Sequence, residues 1–167
     1  MSKIKKRILS IFGTRPEAIK MAPLIQEIER SNKFDSKSWV TAQHREMLDD
    51  VLSVFSIVPD YDLNLMKEKQ DLWGLTSSII NKTKEVYHDF VPDLVLVHGD
   101  TTTAFASALS AFYANIKVGH VEAGLRSFDN QNPFPEEINR VMIDNISTLH
   151  FAPTKNAVKN LLLNGIK

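Results

Sequence analysis

The stretch Asp93-Leu94-Val95-Leu96-Val97-His98-Gly99-Asp100 decides the fold of this chain. Its central residues, 94–97, are all apolar, which is typical of a strand that is buried on both faces. Gly99 and Asp100 end the strand, and a helix rich in alanine and serine is predicted directly after it, at 101–113. A doubly buried strand that leads straight into a helix indicates a parallel sheet covered by helices.

Strands and helices alternate along the rest of the sequence as well. Predicted strands lie at 7–12, 38–42, 93–98, 118–121 and 149–152. Predicted helices lie at 16–30, 45–55, 72–90, 101–113, 136–146 and 154–165, whereas 60–70 is expected to be irregular. This alternation predicts an α/β fold in which one parallel sheet, with right-handed crossovers, lies between two layers of helices. No repeat or linker divides the chain, so residues 1–167 are expected to form one domain.

Composition excludes several classes of protein. The 167 residues include 20 basic and 20 acidic side chains, so the net charge is zero, and long-range attraction to nucleic acid or to an anionic membrane is not expected. No apolar run approaches the about 20 residues that a membrane span needs. The apolar segment behind the basic N-terminus is too short for a signal peptide, which predicts a cytoplasmic protein. Without cysteine there is neither a disulfide nor a thiolate metal site.

Polar side chains follow each of four predicted strands. The stretches are Gly13-Thr14-Arg15, Gln43-His44-Arg45, His98-Gly99-Asp100 and His120-Val121-Glu122. Ligands of open parallel sheets bind outside the carboxyl ends of the strands, where these residues meet. Any one of them could simply cap a helix or lie on the surface. Four strand ends with polar groups at the same edge predict a binding site.

The residues at the strand ends exclude some kinds of binding site and favour others. Neither a dinucleotide fingerprint nor a P-loop follows the first strand. A metal site is not expected, because each histidine is paired with an acid two residues away and no short His-x-x-x-His pair lies near. The loop 13–17 feeds a helix N-terminus that favours an anion, with Arg15 and Lys20 beside it. Two more acids, Glu136 and Glu137, open the helix that follows the proline-containing loop after residue 120.

Five separated motifs resemble one family in order and spacing. They are IFGTRPEAIKMAP at 11–23, TAQHR at 41–45, VHGDT at 97–101, HVEAGLR at 120–126 and PEEINR at 135–140. They look like the non-hydrolysing UDP-N-acetylglucosamine 2-epimerases, although many members have glycine where this chain has Ala42. The resemblance implies that residues 1–167 form the N-terminal Rossmann-like domain of a glycosyltransferase-B-like fold of two domains. The second nucleotide-binding domain would then be absent from this chain.

The resemblance also implies a reaction. The family interconverts UDP-N-acetylglucosamine and UDP-N-acetylmannosamine by losing UDP, forming 2-acetamidoglucal and adding UDP back, which supplies activated N-acetylmannosamine for cell-surface polysaccharide. No metal or cofactor is expected, and the full-length protein would be a homodimer that takes a UDP-sugar. Because orientation contributes much of an enzyme's rate, this half alone is expected to show little or no turnover.

Site residues carry over by resemblance. Asp100, Glu122 and Glu136 match the catalytic carboxylates, and several carboxylates suit a reaction that must handle protons on both faces of a sugar ring. The residues expected to bind substrate are Arg15, Lys20, Gln43, His44, His98, Thr101 and Arg126. Arg15, supported by Lys20, would contact the diphosphate, and Gln43 belongs to a second site where substrate activates some members. Two alternatives stay open: a hydrolysing epimerase, and a retaining glycosyltransferase of the same architecture.

Overall fold

The secondary structure alternates strictly between strand and helix. The computed structural model describes residues 4–41, 45–63 and 71–166, without the side chains of residues 45 and 46. The strands are β1 (Lys6–Phe12), β2 (Phe34–Val40), β3 (Tyr61–Asp62), β4 (Leu94–His98), β5 (Lys117–Val121) and β6 (Leu149–Phe151). The helices are α1 (Arg15–Arg30), α2 (Arg45–Val54), α3 (Leu72–Phe90), α4 (Thr102–Tyr113), α5 (Glu136–Ile146) and α6 (Lys155–Leu163).

The strands form one sheet in the order β3-β2-β1-β4-β5-β6, and every pair is parallel. Ile11 of β1 lies between Trp39 of β2 and Val97 of β4, and His98 lies opposite Val121 of β5. All carboxyl ends therefore reach the same rim of the sheet. The strand order reverses between β1 and β4, and ligands of doubly wound sheets bind at this switch point.

Helices cover both faces of the sheet. Along β1, Ile8 and Phe12 belong to one buried apolar cluster and Leu9 and Ile11 to another, as the two-residue period of a strand requires. The first cluster contains apolar side chains of α1 and α2, and the second contains those of α3, α4 and Ile143 of α5. The predicted three-layer, Rossmann-like α/β fold is confirmed.

Two details of the predicted secondary structure were wrong. Strand β2 begins at Phe34 and not at residue 38, because its polar first half pairs with the start of β1 although it lacks an apolar pattern. Residues 61 and 62, predicted to be irregular, form the edge strand β3 beside Trp39 and Val40. A strand of two residues is too short for any periodicity to reveal. None of the helices in the described part of the chain is long and apolar enough to cross a membrane.

Candidate active site

The loop after β1 packs tightly against two threonines of neighbouring segments. A Cβ added to Gly13 would lie 2.1 Å from Oγ1 of Thr41 and 3.0 Å from Oγ1 of Thr103. These two hydroxyl oxygens are themselves hydrogen-bonded at 3.1 Å. Glycine is required at position 13 because the strand end must approach α4 closely, at the switch point between β1 and β4.

A buried carboxylate, that of Glu17, fixes this loop to the start of α4. Its Oε2 accepts hydrogen bonds from the backbone N–H of Gly13 at 2.8 Å and of Thr14 at 2.7 Å, and its Oε1 accepts one from Oγ1 of Thr101 at 2.7 Å. Burial raises the pKa of Glu17, and these hydrogen bonds oppose the increase. Thr101 also caps α4 by accepting from the N–H of Ala104. The Thr101 hydroxyl predicted to bind substrate is therefore already engaged within the domain.

Glu122, at the end of β5, lies between a lysine and a histidine. Its Oε1 is 2.5 Å from Nζ of Lys20 on α1, and its Oε2 is 3.5 Å from Nε2 of His98 on β4. The backbone of Glu122 has a left-handed φ of 69°, which is uncommon for a residue with a side chain. Such strain is frequent at functional sites. Three elements thus meet at this carboxylate.

Asp100, which follows β4, is held by α5, the helix that begins with Glu136 and Glu137. Its Oδ2 is 2.5 Å from Nη2 of Arg140 on α5, and its backbone carbonyl accepts a hydrogen bond from Asn139 at 2.9 Å. Burial raises the pKa of Asp100; Arg140 lowers it, and the nearby charges of Glu136 and Glu122 raise it further. Asp100 is therefore close enough to both Glu122 and Glu136 for their charges to act on it.

The two acids that open α5 have different environments. Glu137 is buried, and its carboxylate accepts hydrogen bonds from the N–H groups of Ser127 and Phe128 at 3.0 and 3.1 Å. It also lies 3.4 Å from Nη1 of Arg140. Glu137 therefore anchors the loop that precedes α5, whereas Glu136 in the same first turn is partly exposed.

A second charged network lies beneath the rim. Asp144 on α5, with its side chain fully buried, accepts from Nδ1 of His120 at 2.5 Å and from the N–H of Gly124 at 3.2 Å. Nη2 of Arg126 lies 2.8 Å from Oδ2 of Asp144, at ion-pair distance although not aligned for a hydrogen bond. Burial alone would raise the pKa of Asp144, but His120 and Arg126 together lower it. This network joins β5, the turn that follows it and α5.

The network changes the interpretation of two sequence features. The Arg126 side chain is only 1% exposed, and its Nε donates to Asn164 and its Nη1 to the carbonyl of Leu125. Arg126 thus has its Nε and Nη1 hydrogen-bonded inside the domain and its Nη2 beside Asp144, and its contact with substrate stays a prediction. His120, part of one polar strand end, is fully buried, and its Nε2 faces the carbonyl of Gly99 at 2.7 Å. Sequence alone could not show this, since the partner Asp144 lies 24 residues further along the chain.

The structure brings most of the other predicted residues to one place. The ends of β4 and β5 bring together Lys20, His98 and Glu122. Asp100 follows β4, and Glu136 is near enough to raise its pKa, while Arg15 is exposed at the first position of α1. Gln43 and His44 lie outside the described residues. No group of three or more metal-ligating side chains comes together among 4–41, 45–63 and 71–166.

Two residues of the site were missed in the sequence. Arg140 binds Asp100, and Glu17 fixes the loop after β1. Arg140 follows Glu136 by four residues and Glu137 by three, so helical spacing could have placed it beside both acids. Glu17 shows the acid of an N-terminal capping box three residues after Thr14, which was a usable signal.

Comparison with known proteins identifies the family of this chain. The sequence model of the UDP-N-acetylglucosamine 2-epimerases matches residues 26–167. The chain belongs to this family. It is 56% identical over 160 residues to the UDP-N-acetylglucosamine 2-epimerase of Salmonella typhimurium and 57% identical over 158 residues to that of Bacillus subtilis. These matches cover 96% and 95% of this chain but only 43% and 42% of the relatives, so the chain spans less than half of their length.

Solved structures of the family have the same fold. The UDP-GlcNAc 2-epimerase from Neisseria meningitidis bound to UDP-GlcNAc matches with a TM-score of 0.94 and 55% identity, over 96% of this chain and 43% of that one. The Methanocaldococcus jannaschii enzyme in complex with UDP-GlcNAc and UDP matches with a TM-score of 0.90 and 40% identity, over 96% and 44%. MurG of Acinetobacter baumannii, 14% identical over 88% of this chain and 40% of that one, shares the fold alone at a TM-score of 0.56. The domain is thus of the glycosyltransferase-B-like, Rossmann type.

Proposed function

We propose that this domain supplies the catalytic carboxylates of a non-hydrolysing UDP-N-acetylglucosamine 2-epimerase. The proposal is supported by Asp100 and Glu122, which follow neighbouring strands at the rim of the sheet, and by the charges of Glu136 and Glu122, which both raise the pKa of Asp100. The motifs and the family membership support a UDP-linked N-acetylhexosamine as the substrate class.

The chemistry explains why several acids are needed. The C2–H bond of the sugar is not adjacent to a carbonyl group, so its proton leaves as the C1–O bond to UDP breaks, which gives a C1=C2 double bond and free UDP. In the second step a proton adds to the opposite face of C2 while UDP adds back to C1. One base on one side cannot invert a stereocentre, so proton acceptors and donors are required on both faces.

The environments of two of the acids differ in a way that suits these steps. Asp100 is partly buried, and its raised pKa favours a carboxyl that takes up and returns a proton. Glu122 instead pairs with Lys20 at 2.5 Å, and we assign its carboxylate to stabilising positive charge on the sugar ring. Groups with different environments can divide the acid and base roles.

The rest of the binding site follows from the family. Arg15, exposed at the start of α1, and Lys20 one turn or more along it would face the diphosphate, whose charge the helix N-terminus also favours. Gln43 and His44 are proposed to bind a second, activating UDP-sugar. A second nucleotide-binding domain in the full-length protein would supply most contacts to UDP. We further propose a cytoplasmic homodimer that provides activated N-acetylmannosamine for polysaccharide synthesis.

A hybrid enzyme tests the proposal. In this hybrid, our chain replaces the 158 matched residues of the Bacillus subtilis epimerase, to which it is 57% identical. Incubation with UDP-N-acetylglucosamine in D₂O, followed by NMR, should show UDP-N-acetylmannosamine and deuterium at C2 without any acceptor. Each of D100N, E122Q and E136Q should lower kcat by about 100-fold or more, because each removes a carboxylate that transfers a proton or stabilises charge.

The alternatives give different products in the same assay. A hydrolysing epimerase would release UDP and free N-acetylmannosamine, and a glycosyltransferase would leave UDP-N-acetylglucosamine unchanged until an acceptor is added. As a control, D35N alters an exposed carboxylate that is paired at 3.9 Å with Arg7, and it should keep the full rate. A folded hybrid without epimerisation, or one in which the three carboxylate variants keep full rate, would contradict the proposal.

A further inference from the structure

His98 is buried next to Glu122 and was predicted to bind substrate. Its side chain is only 5% exposed, at the last position of β4, which leaves little of the ring for a ligand to contact. The ring nitrogen Nε2 points to Oε2 of Glu122 at 3.5 Å, and Nδ1 is buried without a hydrogen-bond partner in the described part of the structure. The imidazole therefore faces a carboxylate of the proposed site and not the solvent.

The charges around His98 favour the neutral ring. Burial lowers the pKa of His98 to about 4; Glu122 opposes this effect, while Lys20 and His120 add to it. Lys20 lies on α1 and His120 on β5, and Glu122 directly follows β5. A neutral ring carries one proton, and the nitrogen that faces an acceptor, Nε2, is the one expected to hold it.

Lys20 alone would not orient the Glu122 carboxylate. An ammonium group is a compact charge with rotatable donors, and the last torsion of a glutamate side chain has broad minima, so rotation stays easy when one oxygen is held. The second oxygen, Oε2, lies against the end of β4, where a Cβ added to Gly99 would be only 3.7 Å away. Nε2 of His98, at the end of β4, is thus in place to fix the plane of the Glu122 carboxylate.

We propose that His98 is a positioning residue, a neutral imidazole whose Nε2–H holds Oε2 of Glu122 while Lys20 holds Oε1. This inference rests on the proposed function. The distance of 3.5 Å is longer than a formed hydrogen bond, and such contacts commonly shorten when substrate fills an active site. Because the ring is neutral, it orients Glu122 without adding a second cation to the one that Lys20 provides. His98 contributes to the reaction through Glu122 and does not touch the sugar.

The protonation of His98 can be measured in this chain without any activity. In ¹⁵N-labelled protein, long-range ¹H–¹⁵N correlation spectra distinguish the two neutral tautomers and the cation. His98 should be the Nε2–H tautomer, with bare Nδ1, from about pH 8 down to about pH 6, where an ordinary histidine titrates. Exposed His88 is recorded in the same spectra as an internal comparison. A cationic His98 or the Nδ1–H tautomer would overturn the inference.

Two substitutions in the hybrid enzyme separate positioning from packing. H98Q places an amide N–H near the position of Nε2, whereas H98N places one near Nδ1. We expect H98N to lower kcat about tenfold with KM little changed, as for the loss of one hydrogen bond, and H98Q to recover most of the rate. The control H88Q should keep the full rate. Equal rates for H98Q and H98N, or a loss confined to KM, would contradict a positioning role.

The two measurements keep this inference separate from the proposed function. If the hybrid with native His98 does not epimerise, the proposed function fails, and the tautomer measurement still reports on the contact. If the hybrid epimerises and His98 has the wrong tautomer, the function stands and the positioning role is refuted. Circular dichroism and urea unfolding of both variants show whether either loses its fold, and the tautomer measurement needs no substitution.

Discussion

Asp144 should be among the carboxylates on which the stability of this domain depends most. Its side chain is fully buried and contacts His120 at 2.5 Å, Arg126 at 2.8 Å and the N–H of Gly124 at 3.2 Å. The isosteric change D144N removes the charge and turns an amide donor toward groups that are themselves donors. Removing one partner of a buried ion pair costs about 3–5 kcal/mol, because the other charge stays buried without compensation.

This cost is large compared with the stability of a domain. The free energy of unfolding of a single domain is about 5–15 kcal/mol. It decreases by about 2 kcal/mol for each molar of urea, so the unfolding midpoint of D144N should fall by about 2 M. Urea unfolding, followed by circular dichroism at neutral pH, measures it. The matched variant D35N removes a half-exposed carboxylate and should change the free energy of unfolding by less than about 1 kcal/mol. If D144N unfolds within about 0.3 M of the wild type, the network does not stabilise the domain as argued.

Three further predictions concern the rim and its support. Gly124 has a φ of 84°, and an added Cβ would lie 2.4 Å from a backbone carbonyl of α6, so G124A should lower the free energy of unfolding by about 2 kcal/mol or more. The control G165A, with a φ of 78° and open space, should cost about 1 kcal/mol in the same urea experiment. Because the pKa of His98 falls from 6.5 to about 4 on folding, the unfolded chain binds the extra proton first. The contribution of neutral His98 to the free energy of unfolding should therefore be fully present above about pH 6.5, and it should decrease by up to about 3 kcal/mol as the pH falls toward about 4. If H98Q leaves the pH dependence of the free energy of unfolding unchanged, the assignment to His98 is contradicted. K20M, which removes a half-exposed lysine, should change stability by less than about 1 kcal/mol but lower kcat of the hybrid enzyme about tenfold or more, whereas K82M on the outer surface should change neither.

The parallel sheet could be predicted from the sequence because a strand that is buried on both faces has a continuous run of apolar residues. The apolar run of β4, residues 94–97, and the alternation of strands with helices predicted the parallel sheet, and parallel strands place their carboxyl ends at one rim. Asp100 and Glu122 could therefore be placed together before any coordinates. The edge strand β3 could not be predicted, since two residues carry no period and pair only because β2 offers an open edge.

The charged partners of the site were harder to predict, for a different reason. Whether Arg126 faces solvent or Asp144 depends on where α5 packs, and the two residues are far apart in sequence. The same holds for the contact between Arg140 and Asp100, which spans 40 residues. Motif spacing shows which residues come to the rim but not which of them neutralise one another, because ion pairing is decided by tertiary packing.

The left-handed backbone of Glu122 affects how the sequence of this domain can change during evolution. A φ of 69° costs a glutamate about 1–2 kcal/mol that asparagine or glycine would largely avoid. A replacement of Glu122 by asparagine or glycine therefore removes the carboxylate and stabilises the fold at the same time. Most substitutions at a tightly packed rim destabilise the fold. In a copy of the gene freed from selection for turnover, residue 122 should be one of the first rim positions to change, while Gly13 and Gly124, which the packing demands, persist.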